Sequence, residues 1–173
     1  MQTLHRACRL ATRAGAVFAA AALAVLALML VLEVVLNSAF RISQPWATEY
    51  SVYLLGASLF AGSGWVFTEA GHIRVTLLSD RLSAPLARGM AVVTEAIGLA
   101  VASFAAWHMT LYALASLERG STSLYPSATP LWIPQMMLAV SLWLICTGIV
   151  ACMMETLGFV RPRAAAPDLA REI

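Results

Sequence analysis

At 173 residues the chain has the length of one domain, and its composition is 61% hydrophobic and only 12% charged, far from the soluble average of about 45–50% apolar and about 25% charged. That excludes an ordinary water-soluble enzyme and marks an integral membrane protein. All eleven basic residues are arginine, and a net charge of +2 is too small for a nucleic-acid surface, so no nucleic-acid partner is expected.

Arg6, Arg9 and Arg13 precede an uncharged run from Ala14 to Leu32. That run exceeds the ~7–15 residues of a signal-peptide core and approaches the ~20 needed to span a bilayer. An uncleaved first span over 15–38 is therefore expected, with Glu33 near its far end and Arg41 and Pro45 breaking the pattern beyond it. Trp46 falls where interfacial aromatics collect, and Glu49 opens a second span over 48–68. This span is rich in small residues, including Ser58 and Gly62 four positions apart, which allow close helix approach. Close packing is the reading adopted; a polar lining for a permeation path is the alternative.

Between the second and third spans, Ile73, Leu77, Leu78 and Leu82 share one side of a helical wheel while Arg74, Arg81 and Arg88 favour a polar side. The pattern predicts an amphipathic connector helix over about 72–84 lying on the membrane surface, which Pro85 ends or restarts. His72 and Arg74 read as an interfacial pair that holds lipid headgroups or orients the loop. The third span is expected over 90–117. It carries Glu95 and His108, which a thirteen-residue separation places about 140° apart on a helix, so they do not share a site. A polar, turn-rich connection over 121–130 leads to the fourth span, 131–158. Pro134 sits in its first turn, where a missing N–H is tolerated. An Ala/Pro-rich tail, 164–173, is expected to fray.

Counting arginines loop by loop gives nine at the two termini and the central connector, and two, Arg41 and Arg119, on the opposite face. The positive-inside rule then puts both termini in the cytoplasm. The expected fold is all-α integral membrane: four transmembrane helices in one domain, with an interfacial helix between the second and third.

No reaction signature survives its geometry. The sequence has no phosphate-binding glycine loop, no paired histidines at helical metal spacing and no nucleophile beside a credible base. Cys8, Cys146 and Cys152 lack metal spacing and read as packing residues. No catalytic residue, cofactor or metal is expected. Two function classes remain: a non-catalytic membrane subunit that packs against a larger partner, and an independent small oligomeric channel or exporter in which Glu33, Glu95 and His108 line a path.

Three motifs in order carry a resemblance. Trp46-Ala47-Thr48-Glu49 opens the second span, Gly71-His72-Ile73-Arg74-Val75 followed by Leu77-Leu78 lies between spans two and three, and Pro130-Leu131-Trp132-Ile133-Pro134 opens the fourth. Over roughly residues 10 to 158 the chain resembles the small membrane subunit, or DctQ-like Q component, of the tripartite ATP-independent periplasmic (TRAP) transporters. The sequence departs from the family at Thr76, where an acidic residue is frequent. The resemblance implies a scaffold in the bacterial inner membrane, bound to a large membrane subunit that imports an organic acid by sodium symport, with the acid delivered by a periplasmic substrate-binding protein. It also implies structural or subunit-contact roles for Glu49, His72, Arg74 and Pro134. The bottom-up reading adds Trp46, Ser58 and Gly62 as packing or interfacial residues, with membrane lipids as further partners.

Overall fold

The computed structural model describes residues 2–42, 44–69 and 83–159. The connector expected over 72–84, His72 and Arg74, and the tail over 164–173 lie wholly or almost wholly outside the described residues. Four helices make up the regular structure of the described residues: α1 (Gln2–Phe40), α2 (Pro45–Thr68), α3 (Ala84–Glu118) and α4 (Trp132–Thr156). All four are long and apolar enough to cross a membrane. Among the described residues, strand-like pairing is limited to an isolated antiparallel bridge between Thr122 and Pro130.

The helix boundaries follow from local chemistry. Pro45 occupies the first turn of α2 and Pro85 that of α3, where a helix leaves its N–H groups without internal partners, so proline loses nothing. Pro134 takes the same role as the third residue of α4. At the C-terminus of α3, Gly120 adopts φ 61° and the Ser121 N–H reaches back to the Ser116 carbonyl at 3.0 Å, closing the helix with the left-handed residue that glycine supplies without a Cβ clash. Arg41 takes the equivalent position after α1 with φ 57°, an unfavourable conformation for a side-chain-bearing residue. There the Arg41 and Ile42 N–H groups bond the Asn37 and Leu36 carbonyls at 3.1 and 3.3 Å.

α1 is much longer than a membrane crossing requires. Its buried residues are His5, Cys8, Thr12, Gly15, Ala19, Ala22 and Leu26, a stripe with alternating steps of three and four that follows the helical period. The arginines at its N-terminus therefore sit on a helix that is still packed, and the expected span over 15–38 forms only part of the element.

α4 is central. It packs against α1, α2 and α3, while α1 and α2 pack against each other and the extensive contacts of α3 are all with α4. The three-helix junction depends on small residues. A Cβ placed on Gly15 would lie 2.8 Å from both the Ala61 carbonyl oxygen and the Leu144 side chain, and one on Gly64 would lie 2.7 Å from the Leu144 carbonyl oxygen. Gly148 faces Gly64 so closely that a Cβ there would overlap the Gly64 carbonyl. Hydrocarbon supplies little hydrophobic drive between helices, so close backbone approach and the dispersion contacts it allows hold them together.

The side chains that join the helices also set their relative heights. Arg9 to Glu69 and Glu33 to the Gln44 N–H tie antiparallel α1 and α2, and Ser103 to Cys146 and Thr156 to Glu95 tie antiparallel α3 and α4. In this register one polar layer holds Glu33, Glu49 and Glu118 at the end of the two short loops. A second layer holds His5, Arg9, Glu69, Glu95 and Glu155 at the end where the N-terminus lies. Glu49 and Glu69 are separated by about 20 residues, roughly 30 Å of helix, which matches the thickness of a bilayer's hydrocarbon core.

Gly148→Ala should destabilise the protein by about 1–3 kcal/mol, because the added methyl forces α2 and α4 apart. Gly56→Ala, where nothing lies within 4 Å of the new Cβ, should be neutral or slightly stabilising through helix propensity. Thermal unfolding of the two variants in the same detergent checks the contrast; equal melting temperatures would refute the packing argument.

Candidate functional site

The most elaborate side-chain network lies in the layer at the loop end and is built around Glu49. Glu49 is 2% exposed, one turn before Tyr53, whose hydroxyl donates to Glu49 Oε1 at 2.8 Å. Helical spacing of i and i+4 is what brings the two together. Ser127, from the loop between α3 and α4, donates its hydroxyl to the other carboxylate oxygen, Oε2. Next to this pair the buried Thr129 hydroxyl donates to the Tyr50 hydroxyl at 3.3 Å. Both carboxylate oxygens thus have hydroxyl donors, as burial of such a group requires.

The loop is shaped to deliver these hydroxyls. Ser123 N–H bonds the Thr129 carbonyl at 2.9 Å, Leu131 N–H bonds Ser121 at 3.0 Å, and Ala128 N–H bonds Tyr125 at 2.9 Å across a tight turn. Ala128 holds φ 46°, the left-handed region that alanine occupies at a cost. Its neighbours Ser127 and Thr129 carry the two contacts to α2, so the strained residue sits between the groups whose bonds offset it. Trp46 completes the layer. Its indole N–H donates to Gln44 Oε1 at 3.0 Å, and its ring packs edge-on against Tyr50, which packs in the same way against Tyr53.

The layer at the opposite end joins all four helices. His5 Nε2 lies 2.9 Å from Glu155 Oε1, with His5 only 6% exposed. Arg9 donates to Glu69 at 2.8 Å, and Glu95 Oε1 accepts the Thr156 hydroxyl at 2.8 Å and the Cys152 thiol at 3.3 Å. Among the described residues, no group of three or more His, Cys, Asp or Glu side chains is arranged to hold a metal ion.

Of the residues singled out from sequence, Glu49 and Trp46 are brought into one network, and Pro134 enters α4 below the same loop. Ser58 and Gly62 lie elsewhere on α2. The Ser58 hydroxyl bonds back to its own helix at the Leu55 carbonyl, and Gly62 faces Ala19 at ordinary contact, 3.4 Å from its hypothetical Cβ. The closest approach belongs to the adjoining face, Ala57, Ala61, Gly64 and Thr68, all buried. Glu33, Glu95 and His108 are not brought together. Glu33 caps the start of α2 through the Gln44 N–H at 3.1 Å, Glu95 faces α4, and His108 is exposed on α3. Sequence reasoning missed Ser127, Thr129, Gly148 and the His5–Glu155 pair. Tyr53, one turn after Glu49, was readable from spacing alone.

Glu49→Ala should lower the melting temperature and make the segment 119–131 markedly more susceptible to limited proteolysis, because Ser127 and Tyr53 lose their shared acceptor. Ser58→Ala should change neither measurement, and a loop equally protected in both variants would contradict the tether.

No curated protein and no solved structure matches the chain. Residues 26–158 match the family described as tripartite ATP-independent periplasmic transporters, DctQ component. This stretch includes α2, α3, α4 and both networked loops, and leaves out residues 2–25 of α1. With most of its length matched, the chain belongs to the DctQ family, the small membrane subunits of TRAP transporters.

Proposed function

We propose that the chain scaffolds the large membrane subunit of a TRAP-type secondary transporter, which carries out sodium-driven import of an organic acid handed over by a periplasmic binding protein. The subunit sits in the bacterial inner membrane, with both termini and the connector between α2 and α3 in the cytoplasm. The observation that carries this reading is the placement of the ionisable groups. The described carboxylates gather at the two ends of the bundle, and Glu33, Glu95 and His108 stand apart on different faces and at different heights. A substrate anion crossing inside this bundle, away from the outward-facing His108, would meet mostly aliphatic and small side chains, so the transport path is assigned to a partner. The independent channel reading needs those three groups around one lumen.

The same reading assigns roles to the other residues. Glu49 and Trp46 brace the periplasmic layer, Pro134 starts α4 under the braced loop, and Ser58 and Gly62 supply a small-residue face beside the α1–α2 contact. His72 and Arg74 belong to the cytoplasmic connector, where they engage lipid headgroups or a subunit. The arginine asymmetry supports this orientation, with nine on the cytoplasmic side against two.

Two experiments test the proposal. A tag on this chain should recover the large membrane subunit of its own system from detergent as a stoichiometric complex; recovery of homo-oligomers without that partner would revive the channel reading. For orientation, Leu124→Cys, at a position with 104% relative exposure, should react with a membrane-impermeant maleimide in intact cells after the three native cysteines are replaced. Arg6→Cys should react only once the membrane is permeabilised. The reverse pattern would invert the topology.

A further inference from the structure

His108 lies thirteen residues from Glu95 and ten from Glu118 on α3, about 20 Å and 15 Å along the helix. The contacts from Ser103 to Cys146 and from Thr110 to Trp143 set it level with the middle of α4. This places an imidazole near the centre of the apolar band, yet it is exposed. Among the described residues it meets the Phe104 ring, 4.3 Å away between centroids, and its ring nitrogens make no hydrogen bond to any of them. An imidazole always carries at least one N–H donor, and leaving it unsatisfied in hydrocarbon is costly.

The surrounding face is equally uncovered. Val93, Ile97, Val101, Phe104 and Leu111 are 44–67% exposed and share the His108 stripe through steps of three and four. The opposite stripe, with Ala106 and Ala113 at 0% exposure, packs on α4. Only 6% of the most apolar stretch of α3 is buried, against 33% for α4. Acyl chains could cover the aliphatic and aromatic positions. They offer nothing to a mid-membrane N–H, and polar groups at that depth face protein or a water-filled cavity.

We infer that this face of α3 is the docking surface for the large membrane subunit, and that His108 hydrogen-bonds a polar group on one of that subunit's transmembrane helices. The inference rests on the scaffold reading proposed above and assigns the helix face that reading leaves open. Phe104 stacks against the imidazole on one side and narrows the directions from which the partner group approaches.

Photo-crosslinking in cells that carry the whole transport system tests the assignment. A benzophenone amino acid at Val101 should yield an adduct with the large subunit. The same probe at Leu28, 71% exposed on α1, should not. In parallel, His108→Leu should reduce recovery of the large subunit on the tagged chain about tenfold, and His108→Gln, which keeps a donor and an acceptor, should restore most of it. An adduct at Val101 with a second copy of this chain, absence of a large-subunit adduct there, or equal recovery by the Leu variant and wild type would overturn the inference while leaving the scaffold reading in place if the complex still co-purifies. Failure of the wild-type complex to co-purify would instead remove the scaffold reading on which it rests.

Discussion

The rest of the structure depends on how closely α2 and α4 approach at Gly64 and Gly148, a distance that a single additional methyl would prevent. Because α4 touches the other three helices, this contact also sets where α1 and α3 can lie. In water such packing would be reinforced by expulsion of solvent from apolar surface. Between membrane helices that drive is largely absent, so geometry has to supply what transfer from water would otherwise supply. The Gly15–Ala61–Leu144 junction has the same logic at a second height, and together the two points fix the tilt of α1 and α2 on α4.

Small-residue contacts set distance but specify longitudinal register poorly, since one glycine or alanine resembles the next. The polar layers supply the register. His5 to Glu155, Arg9 to Glu69, and Ser127 to Glu49 join positions 150, 60 and 78 residues apart in sequence. Each would be broken by a shift of one helical turn, about 5.4 Å. A slipped arrangement would leave carboxylates without donors at the edge of the hydrocarbon, where such groups are costly. The charges therefore act less as net attractions than as penalties against alternative registers, in keeping with the small net worth of buried ion pairs and the high cost of breaking one.

Spans were legible because length and the absence of charge are properties of contiguous sequence: α2 and α3 contain the stretches expected, and α4 covers the expected 131–158 except for one residue at its start and two at its end. The extent of α1 was not. A search for uncharged runs stops at Arg13, whereas the helix continues because His5, Cys8 and Thr12 extend the buried stripe of Gly15, Ala19 and Ala22 in the same three-and-four rhythm. On α2, the face of Ser58 and Gly62 and the face of Ala57, Ala61 and Gly64 are both made of small residues, and composition cannot choose between neighbours a hundred degrees apart. Glu49 was legible as a motif residue, and its i, i+4 spacing to Tyr53 was a signal in the sequence that went unused. Its bond to Ser127 needed the fold of a loop whose strained Ala128 no propensity rule would favour.

Both ends of the bundle are locked and one side is open, and the combination bears on what the chain is built to do. A protein that moves substrate by its own rearrangement needs at least one end free to change register, and here long-range side-chain bonds tie both. A protein that only supports a neighbour needs a stiff body and an incomplete surface. α3 provides the incomplete surface. It is held along one stripe by α4, with Glu95 anchored to Thr156 near one end of the contact and Thr110 bonded by the Trp143 indole towards the other. The stripe bearing Phe104 and His108 is left facing outward. A helix fastened this firmly on one side is a fixed rail for whatever covers the other, and the imidazole at its midpoint favours a polar covering over acyl chains.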